Sequence, residues 1–305
     1  MENGKPASIA TTGMAWPRIS IVTPSYNQGR FIESTIRCIL EQAYPNLEYI
    51  IIDGGSTDGT VDIIRKYEAS LAHWVSEPDG GMYDAINKGF ARATGDIMAW
   101  SNTDDVYLPS TFLKVGSVFS QFSEVEWLTS LYKVSWDENN KEIKRYRVKG
   151  FNRQAFYRGR NLLGRNRYAS YMIQQQSTFW RRSLWERVGA RVDDALKLAG
   201  DFELWTRFYK HAELYALDEA LGVFRSHAKQ LSVQFRPEIR REAEDALKKA
   251  GGGYPGVLEG WLRSRILRHI PPRWLPFLGS IAYHAMIVER QGLHGHWAIR
   301  REYFV

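Results

Sequence analysis

Cysteine is nearly missing from this chain of 305 residues: Cys38 stands alone, which excludes an intramolecular disulfide and a cysteine-based metal centre. It lies among apolar residues in a helical pattern and reads as a small core residue. Long apolar runs are missing as well. The best window, "PFLGSIAYHAMIV" from Pro276, is interrupted by His284 and falls short of the roughly 20 residues that a bilayer span needs. The opening "MENGKPASIATTGMAWP" has no apolar core of signal-peptide type, so residues 1–17 are expected to form a flexible leader and the protein to be cytoplasmic. There is no G-x-G-x-x-G after the first apolar run and no G-x-x-x-x-G-K-[ST] anywhere, so neither a dinucleotide fingerprint nor a P-loop is supported. Internal repeats and low-complexity tracts are absent too.

What is present is ordinary globular composition, 44% hydrophobic and 25% charged, enough for a core without covalent staples. The net charge of +7 is unevenly placed. Residues 1–120 hold 9 Lys+Arg against 14 Asp+Glu, and residues 121–305 hold 32 against 20. The second half is therefore expected to meet an anionic partner or surface. Its densest stretch, Lys141 to Arg167, has ten basic residues and one acid. It reads as a solvated loop, as an attractor of an acidic acceptor, or as a contact with an anionic membrane. The last reading includes the tail "LEGWLRSRILRHIPPRWLPFLG" with Trp261 and Trp274, and adds a peripheral position at the inner face of the membrane.

Periodicity organises the first half. "RISIVTPSY", "LEYIIID", "LAHWVSE" and "DIMAW" read as strands, and "RFIESTIRCILEQ", "TVDIIRKYE" and "MYDAINKGFARA" as helices between them. Such alternation predicts an α/β fold with a Rossmann-like, mostly parallel sheet flanked by helices. Ligands of such sheets lie beyond the carboxyl ends of the strands. Further on, "QQQSTFWRRSLWERVG" reads as a strand entering a helix and "AGDFELWTRFYKHA" as a helix. "LYALDEALGVFRSH" reads as paired strands, and a basic helical extension is expected over 237–305.

The stretch "AWSNTDDVY" places two adjacent carboxylates, Asp104 and Asp105, where an apolar strand stops. It is either a polar turn or a cation site, since hard cations take carboxylate oxygens and bridge to diphosphate. Asp53, at the end of another strand, either caps the "GGSTDG" turn or accepts hydrogen bonds from a nucleoside.

The segments "SIVTPSYN", "YIIIDGGSTDGT", "SEPDGGMYDAINKGFARATGD" and "WSNTDD", in this order and spacing, resemble the family 2 glycosyltransferases of GT-A fold. The resemblance spans about Arg18 to Ser232 and implies a domain over 18–236, with a nucleotide-binding half (18–120) and an acceptor half (121–236). It implies inverting transfer of a sugar from a nucleoside-diphosphate sugar, UDP-sugar favoured, to a glycan or lipid-linked acceptor, with Mg²⁺ or Mn²⁺ and no nucleic-acid partner. Surface polysaccharide or glycolipid assembly is the implied setting.

By the same resemblance, Thr23, Ser25, Tyr26, Asp53, Asp79 and Asn102 would line the nucleotide site, with Asn87 near it. Asp104 and His227 would hold the metal, with Asp105 the second choice and Arg225 a phosphate partner. Asp201 would be the catalytic base, with Glu203 its substitute, and Gln175 and Gln176 would line the acceptor side. Three positions depart from the family pattern. Asn102 stands for the first acid of Asp-x-Asp, Ile86 for an arginine before Asn87, and Gly200 for an acid before Asp201. The rival readings are a nucleotidyltransferase acting on a sugar phosphate and a nucleic-acid-binding protein that exploits the basic, aromatic middle.

Overall fold

The computed structural model describes residues 15–162, 171–228, 230–254, 265–292 and 295–304. Strands and helices alternate as the apolar periodicity predicts: β1 (Ile19–Ser25), α1 (Ile32–Leu40), β2 (Leu47–Asp53), α2 (Thr60–Lys66), β3 (His73–Ser76), α3 (Met82–Arg92) and β4 (Ile97–Trp100). β1 is buried along its whole length, as befits a strand covered by helices on both faces. It pairs in parallel with β2 on one side and β4 on the other. The strand order turns back at β1, so a crevice opens beyond the ends of β1 and β4. α3 lies close against β1 because Gly89 has no side chain; a Cβ there would sit 2.4 Å from Val22 Cγ1.

The second half adds β5 (Val106–Tyr107), α4 (Thr111–Gln121), β6 (Trp127–Ser130), β7 (Tyr132–Asp137), β8 (Glu142–Arg147) and α5 (Arg153–Tyr157). Next come β9 (Phe179–Arg181), α6 (Arg182–Arg187), α7 (Gly200–His211), β10 (Leu214–Leu217) and β11 (Gly222–Ser226). α8 (Leu231–Gln234), α9 (Arg236–Lys249), β12 (Tyr283–Gln291) and β13 (His296–Phe304) complete the order. Among the described residues the main sheet runs β13-β12-β10-β6-β9-β4-β1-β2-β3, and a smaller one runs β5-β11-β7-β8. This is the expected mixed, mostly parallel sheet.

α7 is seated by indole rings. Trp205 stacks on Trp100, at the end of β4, with centroids 6.2 Å apart and planes 9° from parallel. It also contacts Trp127 at 5.5 Å, Trp180 at 5.9 Å and Phe208 at 5.4 Å. The 3.6-residue spacing of Phe202, Trp205, Phe208 and Tyr209 thus puts one face of α7 onto β4, β6 and β9. The same contact brings the first turn of α7 to the strand-end edge.

Four expectations change. Of the expected leader, residues 1–14 lie outside the described residues, and Trp16 and Pro17 are docked: Trp16 packs edge-on to Tyr44, whose hydroxyl donates to the Pro17 carbonyl at 2.7 Å. The helical extension holds for α9 and fails for β12 and β13, which join the main sheet through β10. There Tyr283, Ala285 and Ile287 alternate inward, a period of two that makes a strand. β10 and β11 are not a pair, because the chain leaves one sheet for the other between them. Finally, the basic stretch from Lys141 is largely solvated but is not a loop. It forms β8 and α5, and Arg147 is bonded to both Asp218 and Glu302, Arg153 to Glu213. Residues 163–167 of it, and Trp261 of the tail, lie outside the described residues.

Trp205→Ala would remove the ring shared by Trp100, Trp127 and Trp180. A loss of about 3–5 kcal/mol is expected, read as a lower midpoint in urea with unchanged slope.

Candidate active site

The crevice is built from turns that follow the strands. After β1 the chain is stitched to the turn after β2: Asn27 N–H donates to Ser56 Oγ at 2.7 Å, and Thr57 N–H returns a bond to Asn27 Oδ1 at 2.9 Å. Gly29 N–H reaches Asp58 Oδ2 at 2.9 Å. Asp53 is fully enclosed at the centre of this arrangement. Its carboxylate accepts from Ser56 N–H at 2.8 Å, from Ser56 Oγ at 2.5 Å and from Ser76 Oγ at 2.7 Å. The capping role foreseen for Asp53 is therefore present. Asp79 lies directly above, with its Oδ2 only 2.9 Å from where a Cβ on Gly54 would sit.

Tyr26 is 62% exposed on the rim, whereas Ser25 is buried with an Oγ that meets no partner among the described residues. Thr23 is not on the rim. It is enclosed beneath the sheet, 3.1 Å from the Tyr49 hydroxyl. Asn87 is also turned away, holding the Val192 backbone through both its amide atoms at 2.9 and 2.8 Å. Both residues brace the crevice instead of lining it.

Beyond β4 the acid turn is tied down on two sides. Thr103 Oγ1 donates to the Pro24 carbonyl at 2.7 Å, and Thr35 Oγ1 of α1 donates to the Thr103 carbonyl at 2.5 Å. Asp104 Oδ2 lies 3.0 Å from His227 Nε2 and accepts from Gln230 Nε2 at 3.1 Å. Gln230 also donates to the Arg225 carbonyl and accepts from His227 N–H, so it clamps the turn that carries His227. The His227 ring rests on Phe31, with centroids 4.8 Å apart.

Asp105 points inward. Burial, and then the Asp104 charge, push its carboxyl well above the usual carboxylate range. Asn102 donates to Asp105 Oδ2 at 3.3 Å and to Gln175 Oε1 at 3.4 Å. An aspartate at 102 could make neither bond and would add a like charge, which accounts for the amide in place of the family's acid.

Arg225 does not reach outward for a phosphate. It is buried, donates to Ser34 Oγ and Asn140 Oδ1 at 2.9 Å each, and lies over the Phe31 ring. Burial opposes its charge, and the Asp104 and Asp105 carboxylates support it. Its place is that of a fixed counter-charge behind the acid turn.

Asp201 opens α7. Its surroundings are desolvated although the residue keeps partial exposure, and burial raises its pKa from 3.8 to about 6. The Tyr83 hydroxyl beside it accepts from Gly200 N–H at 2.8 Å. A Cβ on Gly200 would lie 2.7 Å from the Tyr83 ring, so an acid cannot stand there. Glu203 is no substitute for Asp201, because Arg207 grips its carboxylate at 2.8–3.1 Å. Gln175 is buried and donates to the Trp100 carbonyl at 2.5 Å, while Gln176 is buried with an Nε2 that finds no partner among the described residues.

Gln230, Ser76 and Tyr83 were not foreseen. Gln230 stands three residues after His227 in "SHAKQ", but only the folded turn reveals its three bonds.

Whether these residues suit a divalent cation can be judged from the donor set. No group of three or more His, Cys, Asp or Glu among the described residues is disposed to hold one alone. Asp104 and His227, 3.0 Å apart, are a carboxylate and imidazole pair at the mouth of the acid turn, and the buried Asn102 Oδ1 behind them finds no partner among the described residues. That chemistry fits Mg²⁺ or Mn²⁺ provided a diphosphate supplies further oxygens.

Residues 20–187 match the model of glycosyl transferase family 2. The putative teichuronic acid biosynthesis glycosyltransferase TuaG of Bacillus subtilis is 42% identical over 92 residues, which are 29% of this chain and 36% of that one. Among solved structures, S. aureus TarS 1-349 in complex with UDP-GlcNAc superposes with a TM-score of 0.56 at 16% identity, covering 87% of this chain and 80% of that one. The mannosyltransferase PcManGT from Pyrobaculum calidifontis, in complex with GDP-Man and Mn²⁺, gives 0.54 at 20% identity, covering 81% and 76%. These likenesses establish the GT-A fold. The matched part spans 34% to 65% of the own length of the first curated relatives.

The raised pKa of Asp201 has a stability consequence. The folded state holds this proton more tightly than the unfolded chain, so stability falls as pH rises from 3.8 to about 6. Asp201→Asn removes the cost. The variant should be more stable than the parent above that window, by up to about 3 kcal/mol, and equal to it near the lower limit. Melting curves across pH check this; a pH-independent difference would contradict the assignment.

Proposed function

The chain belongs to glycosyl transferase family 2, and from that premise we propose that it transfers a sugar from a nucleoside-diphosphate sugar to an acceptor hydroxyl, with inversion at the anomeric carbon. Family membership weighs against the nucleotidyltransferase reading. The observation that carries the proposal is Asp201, a desolvated carboxyl with a pKa of about 6 at the strand-end edge. A base of that strength is mostly ionised at neutral pH and still accepts a proton readily.

In the reaction, Asp201 takes the proton of the acceptor hydroxyl while that oxygen bonds to the anomeric carbon. The bond from that carbon to the diphosphate breaks on the opposite face, and a nucleoside diphosphate leaves. Asp79 and the Asp53 turn bound the nucleoside, with Tyr26 at the rim. Asp104 and His227 would hold Mg²⁺ or Mn²⁺, which when bound neutralises charge on the departing diphosphate. Gln230 keeps Asp104 and His227 in mutual reach, and Arg225 balances the acids from behind. The UDP-GlcNAc bound by TarS and the GDP-Man bound by PcManGT support a nucleotide-sugar donor. The name of TuaG supports a surface polysaccharide acceptor. A lipid-linked acceptor fits the same chemistry.

Donor binding is tested by melting with UDP or GDP, with and without Mn²⁺. At a ligand concentration of 100 times Kd, stabilisation by about 2.7 kcal/mol is expected for one diphosphate only with metal, and none in Asp104→Ala. Equal shifts in both proteins would remove Asp104 from the site.

Catalysis is tested by nucleoside diphosphate release in the presence of acceptor. Asp201→Asn should lower kcat by about 10²–10⁴-fold, and Glu203→Gln should stay within a few fold. The parent's rate should climb with pH through about 6, since the base must be ionised. An unchanged Asp201→Asn rate refutes the assignment.

A further inference from the structure

The segment between α9 and β12 carries a surface that glycosyl transfer does not use. Residues 250–282 contain four arginines and one acid, Glu259. Two 3-10 turns, Leu267–His269 and Pro272–Ile281, form part of it. Leu267 and Leu275 are buried and seat the segment on the domain. The larger apolar side chains point the other way: Phe277 is 79% exposed, Trp274 53% and Ile266 47%. Trp274 and Phe277 are in contact, with centroids 5.9 Å apart, and the Arg273 guanidinium lies 5.9 Å from the Trp274 ring. Arg273, beside the rings, and Arg265, next to Ile266 in the chain, are exposed.

An apolar pair of this size left in water marks a contact surface. Its flanks decide the partner. An exposed ring pair beside an arginine, in a segment rich in arginine and poor in acid, suits the boundary between lipid headgroups and acyl chains, where the rings enter and the guanidinium groups meet phosphate. We propose that Trp274, Phe277 and Ile266, with Arg265 and Arg273, dock this protein onto an anionic lipid bilayer. No helix among the described residues is long and apolar enough to cross a membrane, so the contact is peripheral. The segment leads into the first residue of β12, which runs parallel to β10 and β6, and so joins the sheet at the start of its parallel strands. The acid turn lies at the strand ends. Docking therefore leaves the crevice open, and its test is independent of the transfer reaction.

The test is co-flotation of the full chain with phosphatidylcholine vesicles and with vesicles that also contain phosphatidylglycerol. Binding is expected only to the anionic vesicles and should weaken steeply with salt. Trp274→Ala/Phe277→Ala should weaken it about tenfold or more, and Arg265→Gln/Arg273→Gln by a similar factor. These side chains are exposed, so melting midpoints should stay close to the parent's, which separates lost docking from lost folding. Failure of the parent to float with anionic vesicles overturns the proposal, as does equal flotation of the parent and the Trp274→Ala/Phe277→Ala variant. A dimer of the parent that disappears in that variant, without vesicle binding, would assign the surface to a second copy instead.

Discussion

The stack of Trp205 on Trp100 is the contact on which the site depends. Trp100 ends β4, and the acid turn begins at the next residue. Trp205 lies one helical turn after Asp201. One aromatic contact therefore fixes the distance between the part of the chain that would hold a diphosphate and the part that would take a proton. Phe90 meets Trp100 edge-on and Trp180 meets both rings of the stack edge-on, an arrangement that aromatic rings prefer and that resists sliding, while Phe208 lies tilted against Trp205. The indoles do for this domain what a metal or disulfide does for a smaller one. They make the separation of two loops a property of the core.

Around the acid turn, the constraint is electrostatic. Asp104 and Asp105 are adjacent and sheltered, and two ionised carboxylates so placed repel. The fold answers with three devices. Asn102 replaces a third acid with an amide donor, Arg225 sits behind with its charge held by Ser34 and Asn140, and Gln230 turns Asp104 toward His227. None of them neutralises Asp104 outright. The turn thus retains a negative charge directed at the crevice.

Legibility in the sequence followed the range of the interaction. β1 to β4 and α1 to α3 were plain because apolar spacing is local, and α7 showed its ring-bearing face for the same reason. The places of Asp53, Asp79 and Asp104 after strands, and of Asp201 at the start of α7, were legible because the motifs that carry them are local. Thr23 and Asn87 could not be sorted from rim residues, since the side they face depends on Tyr49 and on Val192, 105 residues away. The bond between Asp104 and His227 spans 123 residues. Gln230 had no signal, because a glutamine in a turn is unremarkable until its partners arrive. β12 was hidden by the arginine- and proline-rich stretch before it, although "YHAMIVERQ" alternates once its partner β10 is known.

The order of the nine strands has a consequence for behaviour in solution. A sheet leaves two unpaired margins, and each can recruit strands from other molecules. Here one margin is β3, only four residues long. The other is β13, where Arg300, Arg301 and Glu302 follow one another and Arg300 is bonded to Glu289 and Glu302. A foreign strand arriving at β13 would meet a row of charges, of which Arg300 and Glu302 are already paired at home, and at β3 would find too little backbone to pair with. A wide parallel sheet, slow to assemble because its strands come from distant parts of the chain, is thus guarded at both margins against polymerising.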